Sequence, residues 1–151
     1  MSNYKFKLQK LLDIRLDKEE ESKRAFREAQ REKDLVKQRL DTLNDNYKKY
    51  SGINSKGTLI EQKIKQNYLH ALSLNINNTT KELTNKNEFL ELKREDLKEK
   101  QIDRKTVEVL KEKKKMEFMR EQDFIEQKTN DEFALYGFIR TRERGWKSAS
   151  W

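Results

Sequence analysis

One stretch of the chain is typical of a turn: Ser51-Gly52-Ile53-Asn54-Ser55-Lys56-Gly57-Thr58. It holds two of the four glycines, and we expect Gly52 to take the left-handed conformation that often follows a helix end. Thr58 and Glu61 have the spacing of a capping box, in which each side chain accepts a hydrogen bond from the other residue's backbone N–H. The turn is therefore predicted to separate two helices.

These helices are predicted over residues of about 4–50 and 59–140, with a basic tail at 141–151. Before the turn, apolar residues dominate two interleaved heptad series, which together form a coiled-coil seam. Polar residues interrupt this seam between Arg15 and Ser22. After the turn one heptad series is mostly apolar, while its companion is mostly Lys, Thr and Glu, so the stripe is thin. Asn75 to Thr80 is the weakest helical stretch, yet without Gly or Pro we expect it to stay helical. The series before the turn are Leu8, Arg15, Ser22, Ala29, Val36, Leu43, Tyr50 and Leu12, Glu19, Phe26, Lys33, Leu40, Tyr47, and the apolar series after it is Leu69, Ile76, Leu83, Leu90, Leu97, Arg104, Lys111, Phe118, Ile125.

The predicted fold is all-α: a single domain, residues 1–151, that forms an elongated antiparallel two-helix coiled-coil hairpin with a longer second helix. A turn centred near residue 54 would bring together residues whose numbers sum to about 108, such as Val36 with Leu72 and Leu12 with Leu97. The N-terminus would then end opposite about residue 103. Residues from there to Ile139 would lack an intramolecular partner, which leaves a fold-back, a second copy of the chain or a partner protein to cover them.

The composition excludes several classes of protein. Of 151 residues 41% are charged and only 33% hydrophobic, too few apolar residues for a thick core. There is no cysteine and only one histidine, His70, so disulfides and Cys- or His-rich metal sites are excluded. No apolar run is long enough to span a membrane, and the first ten residues lack a signal peptide's apolar run, so we expect a cytosolic protein. No catalytic, cofactor-binding or metal-binding residues are predicted, and the chain is interpreted as a non-enzyme.

The net charge of +8 allows an acidic protein, nucleic acid or an anionic membrane as a partner. The charge-dense run from Leu92 to Lys115 is most simply a solvated helix face, and a surface for an acidic partner is the next interpretation. Acidic residues interleave with its bases, which weakens the case for nucleic acid. The tail, with Trp146 and Trp151, is either a frayed end or a peripheral membrane contact.

Aromatic residues gather where the hairpin tip is predicted, at Tyr47, Tyr50 and Tyr68, close to Leu43 and Leu72. The two leucines fit core positions of the seam. Three tyrosines at the end of a slender hairpin cannot all be covered, and partly exposed tyrosine is a common interface anchor. The alternatives at this stage are therefore core packing and a docking site.

Three motifs in order give the chain a resemblance to the FliJ family of bacterial flagellar export proteins. They are Phe6-x-Leu8-x-x-Leu11-Leu12-Asp13-x-Arg15 followed by Glu19-Glu20, then Arg104-Lys105-Thr106-Val107-Glu108-x-Leu110-Lys111, and last Glu126-Gln127-Lys128-x-x-Asp131-Glu132-Phe133-Ala134. The middle, Leu59 to Glu91, is similar only in its pattern.

The resemblance implies a soluble stalk, similar to the gamma subunit of rotary ATPases, in the flagellar type III export apparatus. It implies binding to the hexameric export ATPase ring, to the membrane export gate protein and to export chaperones, at the cytoplasmic face of the membrane, with no nucleic acid. Carried over by position, export-gate docking would fall on Leu43, Tyr47, Tyr50, Tyr68 and Leu72. ATPase-ring contact would fall on Lys113, Lys114, Lys115, Phe118, Arg120, Ile125, Asp131, Glu132 and Phe133.

Two alternatives belong to other classes of protein. A generic coiled-coil scaffold would dimerise through the unpartnered part of the second helix. A basic coiled coil that binds nucleic acid would lose affinity steeply as salt rises, which distinguishes it from both other interpretations.

Overall fold

The computed structural model describes residues 4–52 and 57–148, with side chains as far as Arg144. Two helices, α1 (Gln9–Ser51) and α2 (Leu59–Ser148), account for almost all of these residues, and the described ranges contain no strand. The predicted fold class is confirmed, because the two helices pack antiparallel and the second is the longer. The bounds differ from the expected ones at two places: α1 starts at Gln9 rather than at residue 4, and α2 continues as helix into the predicted basic tail, to Ser148.

The described residues form two compact units, one of residues 13–104 and one of the residues before 13 together with those after 104. Each unit contains part of α1 or its N-terminal extension and part of α2. That the whole chain acts as one domain stays a prediction.

The predicted capping box at the start of α2 is confirmed. The Thr58 N–H donates to Oε2 of Glu61 at 2.9 Å, and the Glu61 N–H donates to Oγ1 of Thr58 at 3.4 Å. Gly57 makes room for this arrangement, since a Cβ at that position would lie 2.1 Å from Oε2 of Glu61. The expectation for Gly52 is wrong: its φ is not positive, and its N–H donates to the Lys48 carbonyl as in an ordinary last helical turn. The centre of the predicted turn, residues 53–56, lies outside the described residues.

In the unit of residues 13–104 the seam follows the predicted heptads on α1. Ser22, Ala29 and Val36, three successive members of one series, are all buried. On α2 both series face the seam, since Leu90 of the apolar series and Leu72 and Thr79 of its mostly polar companion are buried. The stretch from Asn75 to Thr80 is helical, as predicted.

The predicted pairing between the helices is wrong by a little more than one heptad. The numbers of contacting residues sum to 118 for Arg15 with Asp103, Ser22 with Asp96, Glu32 with Lys86 and Tyr50 with Tyr68, and to 121 for Arg39 with Glu82. The expected sum of about 108 assumed that the two helices meet at the level of the turn. Instead α2 begins before it reaches α1, so Leu59 is 84% exposed and Ile60 and Ile64 are also exposed.

A group of polar side chains, here called the polar layer, interrupts the apolar seam. It comprises Arg15, Glu19 and Ser22 of α1 with Asp96, Asp103 and Arg104 of α2. The Arg15 guanidinium donates to the Asp103 carbonyl at 2.6 Å, and Oγ of Ser22 donates to Asp96 at 2.5 Å. Among the described residues no buried side-chain nitrogen or oxygen lacks a hydrogen-bond partner. The layer therefore keeps its polar groups satisfied although it lies in the seam.

Glu19 is the most buried charge of the polar layer, with only 5% of its side chain exposed. Its carboxylate pairs with the Arg104 guanidinium and with Nζ of Lys23, the latter at 3.0 Å. Burial raises the pKa of Glu19, but the hydrogen bonds from Lys23 and Arg104 and their charges outweigh it, so the net shift of the pKa is downward. The carboxylate is thus held in its charged form inside the seam.

In the other unit, the N-terminal residues cover α2 further along than the sequence suggested. Leu12 and Val107 are buried, and Nζ of Lys111 donates to Gln9 at 2.8 Å. The rings of Tyr4 and Phe118 lie 5.5 Å apart between centroids. The expectation that residues beyond about 103 lack an intramolecular partner is therefore wrong, because the pairing extends to Phe118. All side chains from Asp123 to Arg144 are exposed, and we call residues 123–144 the exposed segment.

Candidate interaction surfaces

Tyr47, Tyr50 and Tyr68, here the tyrosine cluster, lie at the end of the unit of residues 13–104. The rings of Tyr50 and Tyr68 meet edge to face with centroids 4.9 Å apart, and Nζ of Lys49 lies 5.9 Å from the Tyr50 ring centroid. The three tyrosines are between 37% and 41% exposed, so the cluster is a packed aromatic surface that is still accessible. Such half-exposed aromatic pairs are suited to anchoring a partner.

The two leucines of the predicted gate-docking set lie deeper than the tyrosines. Leu72 is buried in the seam and Leu43 is half-buried. Leu72 is therefore not part of the accessible surface.

Sequence reasoning missed a second apolar surface next to the tyrosine cluster. Leu59, Ile60 and Ile64, in the first two turns of α2, are all strongly exposed. Ile64 joins Tyr50, Glu61, Lys65 and Tyr68 in lining an open groove of about 480 Å³. The available signal was a pair of large apolar residues directly after a capping box, where a partner helix has not yet begun.

At the N-terminal end of the chain, a second groove of about 480 Å³ lies between Tyr4, Phe6 and Leu8 on one side and Leu110 and Phe118 on the other. Lys114 also lines it and pairs with Glu117 at 2.6 Å, a hydrogen bond that raises the pKa of Lys114. Of the residues predicted to contact the ATPase ring, Lys114 and Phe118 thus have neighbours within the chain. Lys113, Lys115 and Arg120 are exposed.

The exposed segment carries the remaining predicted ring-contact residues, Ile125, Asp131, Glu132 and Phe133. Seven large apolar or aromatic side chains project from it into solvent: Phe124, Ile125, Phe133, Leu135, Tyr136, Phe138 and Ile139. A soluble chain rarely leaves so many apolar side chains uncovered in one short stretch, so this segment is the strongest candidate interaction surface of the molecule.

Neither a membrane helix nor a metal site is found in the described part of the chain. No helix there is long and apolar enough to cross a bilayer. The same residues contain no group of three or more His, Cys, Asp or Glu side chains arranged to hold a metal ion.

Two of the sequence motifs meet in the polar layer. Arg15 and Glu19 come from the first motif, and Arg104 opens the second, so the Glu19–Arg104 pair joins them across the two helices. Residues that are 85 positions apart in the chain thus share one ion pair.

The sequence matches a family model described as flagellar FliJ protein over residues 4–143. No curated protein and no solved structure matches the chain.

Proposed function

The chain belongs to the FliJ family of flagellar proteins, and on this premise we propose that it acts as a stalk that binds the export ATPase and the export gate. Membership of the family makes it a component of the flagellar protein export apparatus. In the proposal the exposed segment binds the hexameric export ATPase, and the tyrosine cluster docks on the membrane-embedded export gate. The protein works at the cytoplasmic face of the membrane, handles export chaperones, and has neither catalytic residues nor a cofactor of its own.

The observation that carries this proposal is the exposed segment. Each large apolar side chain left in water forgoes roughly 1.5 to 3 kcal/mol of burial. Seven of them on a helix that remains regular to Ser148 favour a protein surface that receives the helix. A ring with a central opening is a surface of this kind, because it encloses a helix on several sides.

Charge supports the same assignment. Lys113, Lys115 and Arg120 are exposed just before the exposed segment. Basic side chains in this place attract an acidic ring surface and raise the association rate at low salt. Since acidic residues alternate with them, the same stretch is poorly suited to nucleic acid.

The gate-docking part of the proposal rests on the tyrosine cluster. Tyr50 and Tyr68 already pack on one another, so they present a rigid surface and lose little side-chain entropy when a partner binds. Leu59, Ile60 and Ile64 extend this surface with further apolar area.

Two variants separate the two binding sites. A chain truncated after Gln122 should lose stimulation of the purified export ATPase, because the exposed segment is absent, and should still bind the purified gate domain. The double variant Tyr50→Ala/Tyr68→Ala should behave in the opposite way. Helix content by circular dichroism is the control for both.

Full stimulation by the truncated chain would contradict the assignment of the ring contact to the exposed segment. Normal gate binding by the tyrosine double variant would contradict the assignment of the docking site. Each variant serves as the matched control for the other.

A further inference from the structure

The exposed segment continues both heptad series of α2 beyond the residues that cover them. One series runs on from Phe118 to Ile125, Glu132 and Ile139, and its companion from Val107 through Lys114 to Glu121, Lys128, Leu135 and Arg142. From Glu121 onward every member of both series is exposed. The helix thus presents a coiled-coil seam of about three heptads that faces no other helix of the described residues.

Lys128 and Glu132 are complementary to one another in the antiparallel direction. If two copies pair so that the numbers of facing residues sum to 260, Ile125 of each copy meets Leu135 of the other. Lys128 then meets Glu132 of the other copy, and the two-fold axis places this ion pair twice at the centre.

Other pairings of the same seam bring like charges together. A parallel dimer would place Lys128 against Lys128 and Glu132 against Glu132 at adjacent layers. An antiparallel dimer shifted to bring Ile125 opposite Ile139 would again place Glu132 against its own copy. Like charges that face one another across a helix interface oppose association, so charge disfavours both of these arrangements.

We infer that the exposed segment forms an antiparallel homodimer, with Ile125 packing on Leu135 and Lys128 pairing with Glu132 of a second copy. The pairing begins at Glu121, since Phe118 already contacts Tyr4 within its own chain. The inference goes beyond the proposed function, because it concerns the chain alone in the absence of any export component.

The first test is a charge swap followed by sedimentation velocity on the full-length chain over a range of concentrations. Lys128→Glu places two acids opposite each other, and Glu132→Lys places two bases opposite each other. Each single variant should raise the dimer dissociation constant by about tenfold or more. The double variant Lys128→Glu/Glu132→Lys should restore dimerisation, because the pair is rebuilt with its charges exchanged.

A matched control is Glu126→Lys, which makes the same change of charge on the opposite face of the helix and should leave the dissociation constant within about twofold. Helix content is measured for every variant. All of these positions are exposed and lie beyond the residues that α1 and its extension cover, so the folded pairing is expected to remain.

The second test fixes the direction of pairing. The chain has no cysteine, so introduced thiols have no competing partner. An equimolar mixture of Ile125→Cys and Leu135→Cys chains should form the mixed disulfide on mild oxidation, while either variant alone should form little dimeric disulfide.

Three results would overturn the inference. If the wild-type chain stays monomeric at every concentration, the proposed dimer does not form. If the double variant Lys128→Glu/Glu132→Lys fails to restore dimerisation, the proposed register is wrong. If Ile125→Cys alone forms disulfides as readily as the mixture does, the helices do not pair in the antiparallel direction. A failure of ATPase binding would bear on the proposed function and leave these measurements unaffected.

Discussion

α2 contains two regions with the same heptad pattern and opposite surroundings. In residues 68–104 the seam positions pack on α1, and Leu72 and Leu90 are only 5% and 6% exposed. In the exposed segment the equivalent positions Ile125 and Leu135 are 55% and 58% exposed. The comparison teaches that a heptad pattern predicts that a helix has a partner, without specifying whether that partner is the same chain.

The largest expected difference between the two regions is in stability. Leu90→Ala removes a buried seam side chain and should lower the free energy of unfolding by about 2 to 5 kcal/mol. Leu135→Ala makes the same chemical change in the exposed segment and should alter it by less than about 0.5 kcal/mol in dilute solution. Urea unfolding followed by circular dichroism measures both. Similar losses from the two variants would mean that the exposed segment is covered in solution.

A second prediction concerns Glu19, the buried acid of the polar layer. Glu19→Gln weakens the charge-assisted hydrogen bonds from Lys23 and Arg104 and should cost about 1.5 to 3 kcal/mol of unfolding free energy. The control is Glu132→Gln in the exposed segment, for which we expect almost no change when the chain is dilute. Equal stability of the two variants would show that the polar layer contributes nothing net.

Lowering the pH should destabilise the fold through protonation of Glu19. Because the pKa of Glu19 is lowered in the folded chain, its carboxylate stabilises the fold fully above the ordinary value of 4.5. That contribution is lost as the pH falls below this value and passes through the folded-state pKa. Unfolding curves of the wild type and Glu19→Gln should therefore converge at low pH, and a constant gap between them would contradict the pKa shift.

A smaller effect is expected at the start of α2. Thr58→Ala removes one half of the capping box and should lower the unfolding free energy by about 1 kcal/mol. Thr129→Ala in the exposed segment removes a hydroxyl that donates to the Ile125 carbonyl at 2.8 Å within the helix, and should change stability by less than about 0.5 kcal/mol. Thermal unfolding of the two variants side by side makes the comparison, and a larger loss at Thr129 would reverse it.

The smallest expected effect comes from deleting one region altogether. Truncation after Gln122 should leave the melting temperature of the dilute chain nearly unchanged, since the deleted side chains contact no other helix of the described structure. A clear drop would indicate that the exposed segment stabilises the fold through contacts made in solution.

The helices and the α1 seam could be predicted from sequence because heptad spacing is a local property of each helix. The register between the two helices could not be predicted, because it depends on the path of the chain between the end of α1 and the first contact of α2 with α1. Leu59, Ile60 and Ile64 are exposed because they precede the first contact between the helices. Thr79 could not be recognised as a buried residue from its type alone, since burial of a hydroxyl depends on the neighbours that surround it.

The candidate surfaces were predicted in type and only partly in membership. Tyrosine in the last turns of a hairpin is exposed wherever the exact register falls, so the tyrosine cluster was accessible to sequence reasoning. Phe118 was assigned to an uncovered surface, but the shifted pairing gives it Tyr4 as an intramolecular neighbour. Leu72 is buried, as its heptad position predicted, and so it does not belong to the docking surface that the resemblance implied. An error of about ten in the pairing sum thus moved residues between the inside and the outside of the molecule.

The polar layer has a mechanical consequence for residues 13–104. If α1 slipped by one heptad so that Glu19 came level with Leu97, the buried carboxylate would lose Arg104 and keep only Lys23 of its own helix, which would destabilise the shifted pairing. Ser22 would move from Asp96 to the level of Phe89 in the same step. The two helices therefore resist sliding past one another in that direction. A force applied along the axis of one helix is transmitted to the other through the polar layer.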